Sequence, residues 1–387
     1  MTSTDQTQSL PFIEKKQFTT RNFKTFGGKT IKRVDVGWES YGNLNKNKDN
    51  VILITHYFTG NSHAAGKYTE SDLEVGYWDS IIGPNKAIDT NLFFVISVDS
   101  LVNVSAFDKD VITTGPATIN PDTGKPYGLD FPIVTIRDFV NVQKLVLESL
   151  GISKLHAVAG PSMGSMQAIE WASTYPDWVD RLISVIGSGS ADAWTTAALE
   201  QWVVPITLDA NYRDGDYYQF AKEEWPRAGL THALALITQS ALHPAFFNQI
   251  GKQIDFKVLD ENILQDIKAK PSIVNWLYER ASARADLIDA NHLIYLVRAN
   301  QLFITGMQGS LEEGLANIKA KVLLIPASDD LLLMPYHAEK LANYFQDKDH
   351  AVQLRYLESN KENSRGHLEG VAGIAEHNET INAFLTK

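Results

Sequence analysis

The chain has 387 residues, 44% of them hydrophobic and 21% charged, a globular composition with enough apolar mass for one large core or a core domain carrying an insert. Its 35 basic and 46 acidic residues leave a formal charge of −11, a surface that a nucleic-acid backbone would repel, so no nucleic-acid partner is expected. There is no cysteine, which excludes disulfides, thiolate catalysis and cysteine-ligated metals.

Residues 1–17 read as a polar tail. They lack a basic segment followed by an apolar one, so no secretory leader is expected, and no apolar run approaches the ~18 residues of a membrane span. A cytoplasmic setting without a membrane partner is the resulting expectation. Short apolar runs follow at Val51–Thr55, Leu92–Val98, Lys154–Ala159, Arg181–Ile186, Lys321–Pro326 and Val352–Leu357. Runs that are apolar on both faces suit strands buried inside a parallel sheet. Helical patterns at Ile136–Leu150, Gly164–Thr174 and Met334–Phe345 stand between them. The alternation predicts an α/β fold, a mostly parallel central sheet flanked by helices. From about Ser190 to about Glu313 the rhythm stops, and Trp276–Ala283 and Leu293–Phe303 show amphipathic helical spacing. We read 18–189 and 313–387 as a core domain and 190–312 as a helical lid, placed over the carboxyl ends of the strands where such sheets carry their ligand crevice.

The motif with most chemical content is Gly160-Pro161-Ser162-Met163-Gly164. It follows a strand and opens a helix, the setting in which G-x-S-x-G forms a sharp turn presenting the serine hydroxyl as a nucleophile. The flanking glycines avoid collision with neighbouring strand and helix. The Met163 N–H is then aimed at the oxyanion that develops when Ser162 attacks a carbonyl. A second donor is expected from the loop after strand Val51–Thr55, and the backbone N–H of Phe58 is the candidate.

In this kind of site the acid and the histidine follow the serine in chain order. The acid belongs just past a late strand, where Asp329 and Asp330 stand side by side after Val322–Pro326. Asp330 is preferred because the apolar run to Pro335 begins directly after it, with Asp329 the alternative. Four histidines lie beyond: His337, His350, His367 and His377. His337 falls within a helix, His350 in a charged turn, and His377 mid-helix among polar residues. His367 follows a polar loop after the last strand and precedes a helix, a place from which an imidazole can reach Ser162.

With these residues located, the chain resembles the homoserine O-acetyltransferase family of the α/β-hydrolase superfamily over nearly its whole length. The likeness is carried by His56-Tyr-Phe-Thr-Gly-Asn-Ser-His-Ala-Ala-Gly66, Gly83-Pro-Asn-Lys-Ala-Ile-Asp-Thr90, Thr114-Gly-Pro-Ala-Thr-Ile-Asn-Pro-Asp-Thr-Gly-Lys-Pro-Tyr-Gly128, Val134-Thr-Ile-Arg-Asp138, Gly160-Pro-Ser-Met-Gly-Ser-Met-Gln167 and Asp289-Ala-Asn-His-Leu-Ile-Tyr-Leu296. The resemblance implies an α/β-hydrolase core, a Ser/Asp/His triad, acyl transfer through an acyl-enzyme, and a homodimer assembled through the lid. It also implies an arginine from the first lid helices for the homoserine carboxylate, and an aspartate after the histidine for its amine. Here Ser188–Tyr212 contains no Lys or Arg, Arg213 comes late in the segment, and the histidine pattern is Gly366-His367-Leu368 with Glu369 one residue further on. A zwitterionic amino acid would lose both charged partners, which costs several kcal/mol when such groups are buried unpaired. The lid instead offers Trp194, Trp202, Val203, Val204, Ile206 and Leu208, a stretch that suits an apolar acyl or alcohol group or ordinary lid packing.

The reading is therefore a carboxylesterase-like serine hydrolase acting on small acyl esters, with a small-molecule ester or acyl donor as its partner. The alternative is an acyl-CoA-dependent O-acyltransferase using the same residues, and a third reading is a binding protein that has kept the fold without catalysis. No cofactor or metal is expected. His56 and His63 lack a nearby carboxylate pair of ligand-like spacing, and no phosphate-binding or dinucleotide fingerprint is present.

Overall fold

The computed structural model of the protein describes residues 10–251, 254, 256, 259, 262–358 and 362–387. Eight strands form the central sheet: β1 Lys16–Lys24, β2 Thr30–Tyr41, β3 Val51–Ile54, β4 Phe94–Val98, β5 Ala157–Pro161, β6 Arg181–Val185, β7 Lys321–Ile325 and β8 Val352–Leu354. Their spatial order is β1-β2-β4-β3-β5-β6-β7-β8. β1 and β2 pair antiparallel, β2 joins β4 antiparallel, and every pairing from β4 to β8 is parallel. The six sequence-read strands all lie in the parallel part. The β1–β2 hairpin was not expected, and it begins at Lys16, inside the stretch read as a tail. By Ile13, which is buried and donates its N–H to the Lys67 carbonyl at 2.8 Å, the chain is already packed.

Helices α1 Ile136–Ser149 and α2 Met163–Thr174 make the crossovers from β4 to β5 and from β5 to β6. β3 to β7 are apolar at consecutive positions because both faces are covered. Val51 and Leu53 of β3 join α1 and α2 in one core, while Ile52 and Ile54 join a second core closed by Ile381, Phe384 and Leu385 near the C-terminus. The start of α1 is fixed by Asp138, whose carboxylate accepts the Thr135 N–H at 2.8 Å.

Between β6 and β7 the chain is helical among the described residues. The main helices are α3 Ala193–Thr207, α4 Arg227–Ala241, α5 Ser272–Ala285 and α6 Ala290–Gln301. α3 packs on α4 and α6, and α4 packs on α5. The insert leaves and rejoins the core at one point, where Ser190 bridges Ile304 and Thr305 donates its N–H to the Gly189 carbonyl at 3.0 Å. After β7 come α7 Tyr336–Gln346 and, past β8, α8 Asn378–Thr386. The carboxyl ends of β3, β5 and β7 thus open towards the insert, and the candidate site lies there.

Candidate active site

Ser162 sits between the last residue of β5 and the first of α2, with φ 56° and ψ −122°. Side-chain-bearing residues rarely adopt this region, and such strain persists only where the surroundings over-determine it. Here its N–H is tied to the Val185 carbonyl at 2.9 Å. The glycine requirement is steric. A Cβ at Gly160 would stand 2.2 Å from Thr55 Oγ1, and one at Gly164 would stand 2.0 Å from the Thr55 carbonyl oxygen. Glycine at both positions lets the elbow close onto the end of β3, where Thr55 Oγ1 donates to the Gly164 carbonyl at 2.7 Å.

Three side chains from distant parts of the sequence converge on this turn. Ser162 Oγ is 2.8 Å from His367 Nε2, and His367 Nδ1 is 2.7 Å from Asp330 Oδ2. The other oxygen of Asp330 accepts the N–H groups of Leu332 and Leu333 at 2.8 and 3.0 Å, which locks the carboxylate. All three residues are buried. An ionised carboxylate can only accept, so the imidazole proton belongs on Nδ1 and Nε2 is left free to take the serine proton. Of the two adjacent aspartates, Asp330 is the one that faces His367. The other late histidines are elsewhere: His337 meets Ser188 Oγ at 3.2 Å, His350 meets the Ala320 carbonyl at 2.6 Å, and His377 meets the Tyr356 carbonyl at 2.8 Å.

A cavity of about 80 Å³ opens beside Ser162. The loop after β3 supplies Tyr57, Phe58 and Thr59, α2 supplies Met163 and Met166, and the lid supplies Leu199, Trp202, Ile237, Ala241 and Asn300. Leu332, Leu333 and Leu368 close the side nearest His367. Among the described residues no Lys, Arg, Asp or Glu lines it. The Phe58 ring meets Trp202 edge-on with centroids 5.3 Å apart. Phe58 and Met163 both line the cavity, and neither of their backbone N–H groups donates a hydrogen bond within the described residues. Two free amide donors beside a serine hydroxyl suit a developing negative charge.

Other residues singled out from sequence are placed apart. Arg213 lies 3.5 Å from Glu224 and over the Phe220 ring, outside the cavity. Glu369 turns back to accept the Arg365 N–H at 2.8 Å. Of the apolar lid residues, Trp202 reaches the cavity, Val203 and Ile206 are packed inside the core, and Trp194, Val204 and Leu208 are exposed. His63 stacks on Tyr68 and bonds Glu39 at 2.9 Å, and no group of three or more His, Asp or Glu among the described residues is arranged to hold a metal. Among the described residues no helix is long and apolar enough to cross a membrane. A larger cleft of about 680 Å³ lies at the far edge of the sheet, lined by Lys321, Gln353, Arg355 and Lys387 among others, and it contains none of the three converging side chains.

The sequence family described as alpha/beta hydrolase fold matches residues 113–355. The chain is 36% identical over 369 residues to a homoserine O-acetyltransferase of Methanococcoides burtonii, covering 94% of this chain and 72% of that one. The chain belongs to the α/β-hydrolase family, in its homoserine O-acetyltransferase branch. Two solved structures resemble this α/β-hydrolase over 97% of its length. One is esterase E22, with a TM-score of 0.92 and 61% identity over all of that chain. The other is a homoserine O-acetyltransferase from Bacillus anthracis, with a TM-score of 0.91 and 35% identity over 98% of that chain.

Sequence reasoning passed over part of this α/β-hydrolase's site. Asn300 of α6 lines the cavity, with its Nδ2 3.3 Å from Met163 Sδ and 2.8 Å from the Leu296 carbonyl. Met166 lies one helical turn past Met163, a spacing that could have placed it on the same wall. Behind the Phe58 loop stands a buried charged cluster that composition does not reveal. Lys15 Nζ is 2.8 Å from Glu39 and 2.6 Å from Ser62 Oγ, and Asp99 accepts the Ser62 N–H at 2.7 Å. Burial alone would push the Glu39 carboxyl up. The His63 hydrogen bond and the Lys15 charge outweigh it and hold the group down at about 2.

Proposed function

We propose that this chain is a carboxylesterase-like serine hydrolase acting on small acyl esters. Ser162 is the nucleophile and His367 the general base. Asp330 orients the imidazole, and the amides of Phe58 and Met163 receive the oxyanion. His367 takes the serine proton as Oγ attacks the ester carbonyl, then returns it to the departing alcohol. Water repeats the cycle on the acyl-enzyme. The observation that carries this reading is the cavity itself: a serine within hydrogen-bond reach of a histidine–aspartate pair opens onto walls with no charged residue among those described. A homoserine molecule would find no cation there for its carboxylate, and Leu368 stands where an acid would meet its amine.

The second reading, transfer of an acyl group from acyl-CoA to a small hydroxyl acceptor, is supported by relatives that carry the name homoserine O-acetyltransferase. Both readings use the same residues and differ in what reaches the acyl-enzyme. Incubating the purified protein with p-nitrophenyl acetate, and separately with acetyl-CoA and homoserine, tells them apart. The expected outcome is nitrophenol release that is abolished in Ser162→Ala. Release of CoA that depends on homoserine would overturn the hydrolase assignment.

The assembly we infer is a homodimer formed through the lid. The exposed apolar side chains Trp194 and Val204 of α3 and Leu208 just past its end support it. Light scattering at micromolar concentration should give twice the chain mass, and a monomer mass would contradict it.

A further inference from the structure

Directly behind the loop that carries Phe58 lies a histidine that takes no part in the triad. His56 is fully buried. Its Nε2 accepts the backbone N–H of Ser100 at 3.0 Å, and its Nδ1 is 2.8 Å from the Tyr57 carbonyl oxygen. A backbone N–H can only donate, so Nε2 carries the lone pair, the proton sits on Nδ1, and Nδ1–H donates to Tyr57. Burial pushes the ring's pKa down, in keeping with this neutral form.

The Tyr57 carbonyl and the Phe58 N–H belong to one peptide unit. That unit is planar and trans, so its oxygen and its hydrogen point in opposite directions. A ring that fixes the oxygen on the buried side fixes the hydrogen on the cavity side. We propose that His56 is a positioning residue that aims the Phe58 amide at the reacting carbonyl. This rests on reading that amide as an oxyanion donor.

Neighbouring bonds show why the ring matters. The Tyr57 oxygen also accepts the Gly60 N–H at 3.0 Å, but that bond closes the turn on itself and moves with it. The imidazole instead anchors the peptide to Ser100, just past β4. On the other side, Gln167 Nε2 donates to the His56 carbonyl at 3.1 Å. Gln167 lies on α2, five residues past Ser162, and its own oxygen accepts from Gln143 at 2.6 Å. The helix that presents the Met163 amide and the loop that presents the Phe58 amide are thereby held in register. A donor preset in this way needs no reorganisation when charge develops.

Two variants separate the roles of the ring nitrogens. In His56→Asn the amide nitrogen takes the place of Nδ1 and keeps the bond to Tyr57. In His56→Gln the amide reaches the place of Nε2 and loses it. With p-nitrophenyl acetate, His56→Asn should keep kcat within about threefold, while His56→Gln should lose on the order of tenfold to a hundredfold with KM unchanged. Affinity for a trifluoromethyl ketone, which adds to Ser162 as a tetrahedral oxyanion, should fall in His56→Gln by the same factor. Wild-type kcat and ketone affinity in His56→Gln, or equal losses in both variants, would overturn the proposal. Should either variant fail to fold, His56→Ala removes the same tether. A parallel fall in kcat and ketone affinity supports the proposal, and unchanged values overturn it. Fluorophosphonate labelling that is absent in the wild type, or that persists in Ser162→Ala, sinks the underlying serine reading instead. Full labelling with an indifferent His56→Gln sinks the positioning role alone.

Discussion

Asp329 and Asp330 are chemically identical neighbours, and what separates them is backbone direction. Asp330 turns inward, where two consecutive amides hold one of its oxygens and the other faces His367. Exchanging that carboxylate for an amide keeps the shape but offers the imidazole the wrong partner. Asp330→Asn should lower kcat on p-nitrophenyl acetate by on the order of a thousandfold, with the fold intact by circular dichroism. Asp329→Asn should leave kcat essentially unchanged, and the opposite ranking would reassign the acid. The placement of Ser162 was legible because a pentapeptide with two glycines has few other uses between a strand and a helix. The placement of His367 was legible because its competitors fall in helices or charged turns. The choice between the aspartates rested on the apolar run that follows them. Nothing local marked Asn300 as a wall of the cavity, because only the packing of α6 on α3 in the folded insert brings it beside Met163.

Elements were legible where both faces are buried. β3 to β7 read as continuous apolar runs, since each contributes alternate residues to two cores, whereas β8 packs Val352 and Leu354 half-buried against one core and leaves Gln353 exposed. β1 was not legible. Most of it is exposed or half-exposed, and Lys16, Thr19, Thr20, Arg21 and Lys24 give it no apolar stripe. Its place at the edge of the sheet comes from pairing with β2. The lid helices were legible as helices but not by role. Trp202 shows this, because it packs against Phe58 and also lines a groove of about 460 Å³ on the outer side of α3 and α4. The Trp202 indole, together with Leu332, thus forms the partition between that groove and the cavity at Ser162. Trp202→Ala should join the two spaces. Activity on p-nitrophenyl hexanoate should rise relative to acetate, while loss of a buried indole should cost about 3–5 kcal/mol in chemical denaturation. An unchanged acyl-chain profile in a folded variant would show that the acyl group points elsewhere.

At the scale of the whole molecule, one charged cluster joins parts of the chain that the sequence keeps far apart. Lys15 comes from the N-terminal segment, Glu39 from β2, Ser62 and His63 from the loop after β3, and Asp99 from the end of β4. Burial disfavours the Lys15 ammonium, but the charges of Asp99 and Glu39 outweigh it and raise its pKa. The ionised form of Glu39 is favoured in the fold, where the carboxyl is held at about 2 against 4.5 for a free side chain. A group with a depressed pKa stabilises the fold fully above its unfolded value, and that stabilisation is lost as pH falls through the folded one. A displacement of this size corresponds to on the order of 3 kcal/mol. The melting temperature should therefore be flat with respect to this group at neutral pH and decline between about pH 4.5 and pH 2. Glu39→Gln should melt lower at pH 7, because Lys15 would keep only Asp99, at 3.4 Å, as an anionic partner among those described. Its decline through the acid window should also be shallower than that of the wild type. Parallel curves would mean that Glu39 titrates alike in the folded and unfolded chains. The cluster would then contribute packing to the fold and no pH dependence.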